Sequence, residues 1–227
     1  MKNTINHYLR ESEQIKITEL VREHAEKALA IETNEGKNLH PNLQTALKVV
    51  KYILTKLHKI EGYHKPNSKD ELDQQKKLKD SIFRKRKLQE ILKDGYYPTC
   101  SDIGIVFRGL MVALGIPTAY VEAFHEDYLL GTSFRGHVLA KVNAGSKWYY
   151  IDPENNARRV LNSKKELYPL IVFKEGLDSW DIEIRSYNDM HKLKAENIKS
   201  LLTDYKSILQ QIYSEKIKLV DKLLQDR

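Results

Sequence analysis

The stretch Gly95-Tyr96-Tyr97-Pro98-Thr99-Cys100-Ser101-Asp102-Ile103-Gly104-Ile105-Val106-Phe107-Arg108-Gly109-Leu110-Met111-Val112-Ala113-Leu114-Gly115-Ile116-Pro117 decides the fold. Ile103, Val106, Phe107, Leu110, Met111 and Leu114 recur in alternating steps of three and four, which predicts a short helix with a buried face over 102–114. Gly115 and Pro117 stop it. Cys100 stands a turn before that face, among polar neighbours. At a helix N-terminus, unpaired backbone N–H groups and the macrodipole favour a thiolate. Thr99 or Ser101 is placed to supply the cap. A cysteine taken alone is most often a small buried apolar residue; the polar setting and the helix-end position argue for a nucleophile.

A nucleophilic thiol needs a base, and the base needs an orienting partner. Downstream, Ala119–Phe124 predicts a strand, followed by a loop containing Gly131 and Gly136. Two β-rich runs come next, His137–Val142 and Lys147–Ile151, joined by the turn-forming Asn143-Ala144-Gly145-Ser146. A hairpin symmetric about Ala144-Gly145 sets Val142 opposite Lys147 and His137 opposite Asp152. Directly opposed residues share a face with Cβ atoms about 5 Å apart, so the imidazole and the carboxylate come within reach of one hydrogen bond. The expected catalytic set is Cys100 as nucleophile, His137 as base and Asp152 as orienter.

Working outward, the first ninety residues carry helical patterns. Ile17, Leu20, Val21, Ala25, Ala28 and Leu29 mark a helix within 13–31, and Leu43 through Ile60 mark a strongly amphipathic one over 42–60. His64-Lys65-Pro66-Asn67-Ser68 breaks the pattern, and helix resumes from about Asp70 to Lys93, ended by Gly95. At the other end, Ile198, Leu202, Tyr205, Leu209 and Ile212 form a stripe extended by Leu219 and Leu223. It is expected to pack on the N-terminal helices, with a coiled-coil seam as the alternative. The resulting division is an N-terminal helical region over 1–94, a core over 95–187 and a C-terminal helix over 188–227. The fold class is α+β, a small antiparallel sheet on the Cys100 helix with helices flanking it.

The 227 residues are enough to bury a core without disulfides or metals. One cysteine excludes an internal disulfide, a thiolate-rich zinc site and a CxxC pair; no cofactor or metal is expected. The N-terminus lacks the apolar region of a signal peptide, and no stretch is long enough to cross a bilayer, so the cytoplasm is the expected location. The net charge of +7 comes from 38 Lys and Arg against 31 Asp and Glu. The basic run Arg84-Lys85-Arg86-Lys87 is assigned to a helix with no interleaved aromatics. Elsewhere the charges are mixed, so a solvated lysine-rich surface is preferred to a nucleic-acid partner.

The motif from Gly95 to Pro117 resembles the cysteine motif of transglutaminase-like proteins. Gly136-His137-Val138 and Trp148-Tyr149-Tyr150-Ile151-Asp152-Pro153 resemble that superfamily's histidine and aspartate motifs. The resemblance covers roughly residues 86–155. It implies a papain-like fold and a thioester mechanism on amide bonds of a protein or peptide, with the backbone N–H of Cys100 as one oxyanion donor; hydrolysis is preferred to acyl transfer to an amine, because water is abundant and no feature marks an amine-donor site. Papain-like enzymes carry a glutamine six residues before the cysteine as the second donor. Here that position is Asp94, and Tyr97 is the substitute candidate.

Other residues receive structural assignments. Asp102 is a first-turn carboxylate favoured by the helix dipole. His125-Glu126-Asp127 is a solvated loop, not a metal site. Trp180 is an anchor for the C-terminal helix. The loop 126–136 is a candidate cover for the cleft. Two rival functions are a catalytically silent interaction module and a basic nucleic-acid-associated protein.

Overall fold

The structure is a computed structural model. It describes residues 2–59, 81–131, 136–154 and 160–225, with isolated positions 68, 70, 74 and 77. The break at His64–Asn67 and residues 71–73, 75–76 and 78–80 of the helix expected over 70–93 lie outside the described residues.

In chain order the elements are α1 (Lys2–His7), α2 (Glu19–Leu29), α3 (Pro41–Lys56), β1 (His58–Lys59), α4 (Leu88–Asp94), β2 (Tyr96–Tyr97), α5 (Cys100–Ala113), β3 (Thr118–His125), α6 (Glu126–Leu129), β4 (Gly136–Ala144), β5 (Lys147–Ile151), β6 (Leu170–Gly176) and α7 (Tyr187–Gln225). Four strands form an antiparallel sheet in the order β5-β4-β3-β6, and β1 pairs with β2 in a short parallel ladder. This is the α+β class, a small antiparallel sheet packed on the helix that Cys100 begins.

Helix α5 occupies the centre. It contacts β3 and β4 on one side and α2, α3 and α4 on the others. Every residue from Ser101 to Val112 is buried, so the helix is wrapped on all sides where the apolar spacing suggested one buried face. Glycine makes this possible. A Cβ on Gly104 would lie 2.4 Å from Val138 Cγ1, so its absence lets the sheet close onto the helix. Strand β3 is covered on both faces. Tyr120 and Phe124 enter the main core with α5, while Val121 and Ala123 join Leu139, Tyr150, Leu167 and Val172 in a second cluster.

Several boundaries differ from the sequence pattern. Helix α2 starts at Glu19, because residues 12–18 run as an irregular strap held by specific bonds. Gln14 donates its side-chain amide to the carbonyls of Arg84 and Arg86, and its backbone N–H to Asp178. The run from Arg84 to Lys87 is not helical. Arg84 adopts a left-handed φ of 57°, and α4 begins only at Leu88. Gly95 does end that helix, in the left-handed conformation expected of a C-terminal glycine. Among the described residues, helix α7 packs mainly on β6 and α6. Its inward stripe centres on Leu201 and Ile208, and Tyr205 donates a hydrogen bond to Glu126.

Candidate active site

Cys100 is the first residue of α5 and is half-buried. The backbone at Thr99 is extended, as an N-cap requires, but its hydroxyl does not cap a backbone N–H. It bonds the Ser101 hydroxyl at 2.7 Å and the Asp102 carboxylate at 3.1 Å. Asp102 does more than complement the helix dipole. It is buried and pairs with Arg86 at 3.3 Å, and Arg86 also reaches Asp94 and donates to the carbonyl of Tyr96. Burial pushes the Asp102 carboxyl up, against the pull of Arg86 and Thr99. Arg86 thus ties the end of α4, β2 and the first turn of α5 together beneath the thiol.

His137 is the second residue of β4, and its Nε2–H donates to Asp152 Oδ2 at 2.9 Å. Nδ1 is the nitrogen left for the thiol. Burial disfavours the imidazolium, but hydrogen bonds to Asp152 and Cys100, with the charges on both, outweigh it and raise the His137 pKa to about 11. Donor atoms of Cys100, His137 and Glu154 all lie within 4.8 Å of one another.

The strand register is not the one expected. The turn tightens to Gly145-Ser146, with Gly145 at φ 68°, and Val142 pairs with Tyr149 and Ala140 with Ile151. Lys147 faces Ala144, not Val142. Asp152 lies just beyond β5, not in a paired position across from His137, and reaches the imidazole from the turn that Pro153 begins. Its other oxygen, Oδ1, accepts the backbone N–H of Glu154 at 3.1 Å. That bond folds the chain back and directs Glu154 towards the thiol.

Two residues beside Cys100 and His137 escaped the sequence pattern. Glu154 would have emerged from counting the hairpin with a two-residue Gly145-Ser146 turn. Lys59 has no local signal. It enters the site because β1 pairs with β2, setting Lys59 beside Tyr97, and there it forms an ion pair with Glu154. The hydrogen bond to Glu154 raises the Lys59 pKa, with the charge of Cys100 acting in the same direction. Tyr97, the candidate oxyanion donor, is buried in β2, and burial raises its phenol pKa.

The remaining candidates have structural partners. Tyr168 and Tyr205 both donate to Glu126, and His125 caps α6 by accepting the N–H of Asp127. Trp180 donates to the carbonyl of Arg84 and lies under the Arg185 guanidinium, so it ties that turn to the residues leading into α7. Of the loop 126–136, the first four residues form the short helix α6, and residues 132–135 lie outside the described residues. Among the described residues, no helix is long and apolar enough to cross a membrane.

The α+β core with a cysteine opening its central helix is a fold that this chain shares with a solved structure. The chain is similar to the crystal structure of a candidate cysteine protease from Cytophaga hutchinsonii, with a TM-score of 0.53 and 15% identity over 81% of this chain and 50% of that one. This chain therefore spans half the length of that protein. No protein-family model matches the chain. No curated protein matches it either.

Proposed function

We propose that this chain is a thiol enzyme of the transglutaminase-like superfamily that cleaves amide bonds of a protein or peptide through Cys100, His137 and Asp152. The carrying observation is the line of three groups, with Asp152 on His137 Nε2 at 2.9 Å and the other ring nitrogen left for Cys100.

The chemistry follows from that line. The raised pKa of His137 favours the imidazolium, which suits it to take the thiol proton in the proposed reaction. The Cys100 thiolate attacks the amide carbonyl, and the oxygen becomes an oxyanion. The backbone N–H of Cys100 at the start of α5 and the Tyr97 hydroxyl are the proposed donors to it. His137 gives its proton to the leaving amine as the C–N bond breaks, leaving a thioester. Neutral His137 then takes a proton from water, which attacks the thioester and releases the acid. Asp152 holds the tautomer throughout and stabilises the imidazolium. Water is the assigned acyl acceptor, since no residue marks an amine-donor site. A thiol with no partner for a disulfide suits a reducing compartment, which supports a cytoplasmic location.

The basic cluster lends little to a nucleic-acid reading. Arg84 and Arg86 are buried against Glu122, Asp94 and Asp102, which leaves only the two lysines of the run towards solvent.

The test is iodoacetamide alkylation of Cys100 against pH, followed by mass spectrometry, in the native chain and in His137→Ala. Fast labelling below the free-thiol range of about pH 8.5, lost in the variant, is expected, together with hydrolysis of peptide amides that disappears in Cys100→Ser. Labelling that follows an ordinary thiol titration in both chains would favour the silent interaction module.

A further inference from the structure

We infer that the thiol site doubles as a reversible binding site for one zinc ion, held by Cys100, His137 and Glu154, which blocks the nucleophile. The proposal rests on the thiol-enzyme reading only for its consequence, inhibition; the binding itself does not need catalysis.

Among the described residues, this is the one group of three potential metal ligands whose donor atoms lie within 4.8 Å of one another. Sulfur, imidazole nitrogen and carboxylate oxygen are the donor types of zinc, at about 2.3, 2.0 and 2.1 Å from the ion, which sets donor–donor edges of about 3.4–3.6 Å in a tetrahedron. Side-chain rotation of about an ångström closes the set. The softness of sulfur and nitrogen selects zinc over magnesium or calcium, which prefer all-oxygen shells.

Two further features match a zinc site. His137 donates Nε2–H to Asp152, leaving Nδ1 as the ligand atom; a zinc-bound histidine ordinarily gives its other N–H to a carboxylate in this way. Asp152 also fixes Glu154 by accepting its backbone N–H. One carboxylate therefore aligns two of the three ligands. Water would complete the four-coordinate shell that zinc prefers.

The charges and protons balance. The ion meets the Cys100 thiolate and the Glu154 carboxylate, so two negative charges offset two positive. The proton that the thiolate–imidazolium pair holds on Nδ1 leaves to solvent as the nitrogen takes the metal. Lys59 loses its carboxylate partner or shares it, since a carboxylate has a second oxygen to offer.

The test uses the full chain and zinc alone. Binding is measured by competition with a chromophoric chelator, and Cys100 alkylation is followed in the same samples. The expected result is one equivalent bound, alkylation slowed at least tenfold and restored by EDTA, with no effect of magnesium. Glu154→Gln should weaken zinc at least tenfold, and Asp152→Asn by about 10–100-fold, with circular dichroism confirming that each variant folds. Absence of saturable 1:1 binding, bound zinc that leaves alkylation unchanged, or an affinity indifferent to Glu154→Gln would each overturn the proposal. The two proposals fail separately: an unreactive Cys100 in zinc-free buffer sinks the enzyme reading while leaving stoichiometry and the Glu154 effect to decide this one.

Discussion

Two carboxylate–cation pairs lie near the start of α5, made to almost the same distance. His137 meets Asp152 at 2.9 Å, and Arg84 meets Glu122 at 2.7 Å. Their surroundings differ. The His137 side chain is 21% exposed, whereas Arg84 and Glu122 are 2% and 0% exposed. Arg84 also donates to the Tyr120 hydroxyl at 3.1 Å, and its neighbours hold its pKa above the usual guanidinium value against the cost of burial. Burial raises the Glu122 carboxyl, with Arg84 opposing. A guanidinium does not exchange its proton in the working range and this one has no opening to substrate, so the pair can only hold β3 against the turn at Arg84. An imidazole at a cleft can pass its proton on. Access and an exchangeable proton, not the strength of the contact, separate the site from the scaffold.

The sharpest way to break this comparison is to remove His137. His137→Ala should lower Cys100 alkylation at neutral pH, and any amide hydrolysis, by about 10²–10⁴-fold while leaving the fold intact; mass spectrometry and circular dichroism check the two halves. Removing the buried carboxylate should do the reverse. Glu122→Ala leaves a guanidinium uncompensated in the core and should cost about 3–5 kcal/mol of stability, measured by denaturant unfolding. Replacing both Arg84 and Glu122 by apolar residues of similar volume should recover much of that loss. A Glu122→Ala protein of normal stability would mean that the pair is not structural.

A smaller effect is expected where the sheet meets α5. Gly104→Ala brings a methyl group to 2.4 Å from Val138 and 3.2 Å from Tyr120 and should cost about 1–3 kcal/mol, read from the melting temperature. The subtlest effect is on pH dependence. The folded pKa of His137 is raised from 6.5 to about 11, so its contribution to stability is fully present below 6.5 and is lost as pH rises through 11. The stability gap between the native chain and His137→Ala should therefore narrow towards alkaline pH. A gap that widened instead would reverse the sign assigned to the pair.

What the sequence disclosed follows from how locally each feature is encoded. Cys100 at a helix start, the order of the three motifs and the α+β class were legible because they rest on runs of adjacent residues. Asp152 was matched with His137 through a register that the chain does not adopt: the turn is two residues shorter than the composition of Asn143–Ser146 suggested, and a bend at Pro153 restores the contact. Glu154 stayed hidden behind that register. Lys59 could not be seen, since it arrives through a parallel pairing with a segment far along the chain. The basic run from Arg84 to Lys87 misled for a related reason. Charge in a sequence does not say which way a side chain points, and a left-handed turn at Arg84 sends alternate residues inward.

The strap around Gln14 carries a consequence for how this chain can change. Its amide nitrogen feeds the carbonyls of Arg84 and Arg86, its amide oxygen accepts the Ser179 hydroxyl, and its backbone binds Asp178. An isosteric exchange to glutamate would replace the NH₂ group by a carboxylate oxygen facing two carbonyl oxygens. Positions 14, 84–86 and 178–179 are thus locked to one another, and substitutions there are expected to spread through a lineage as a set.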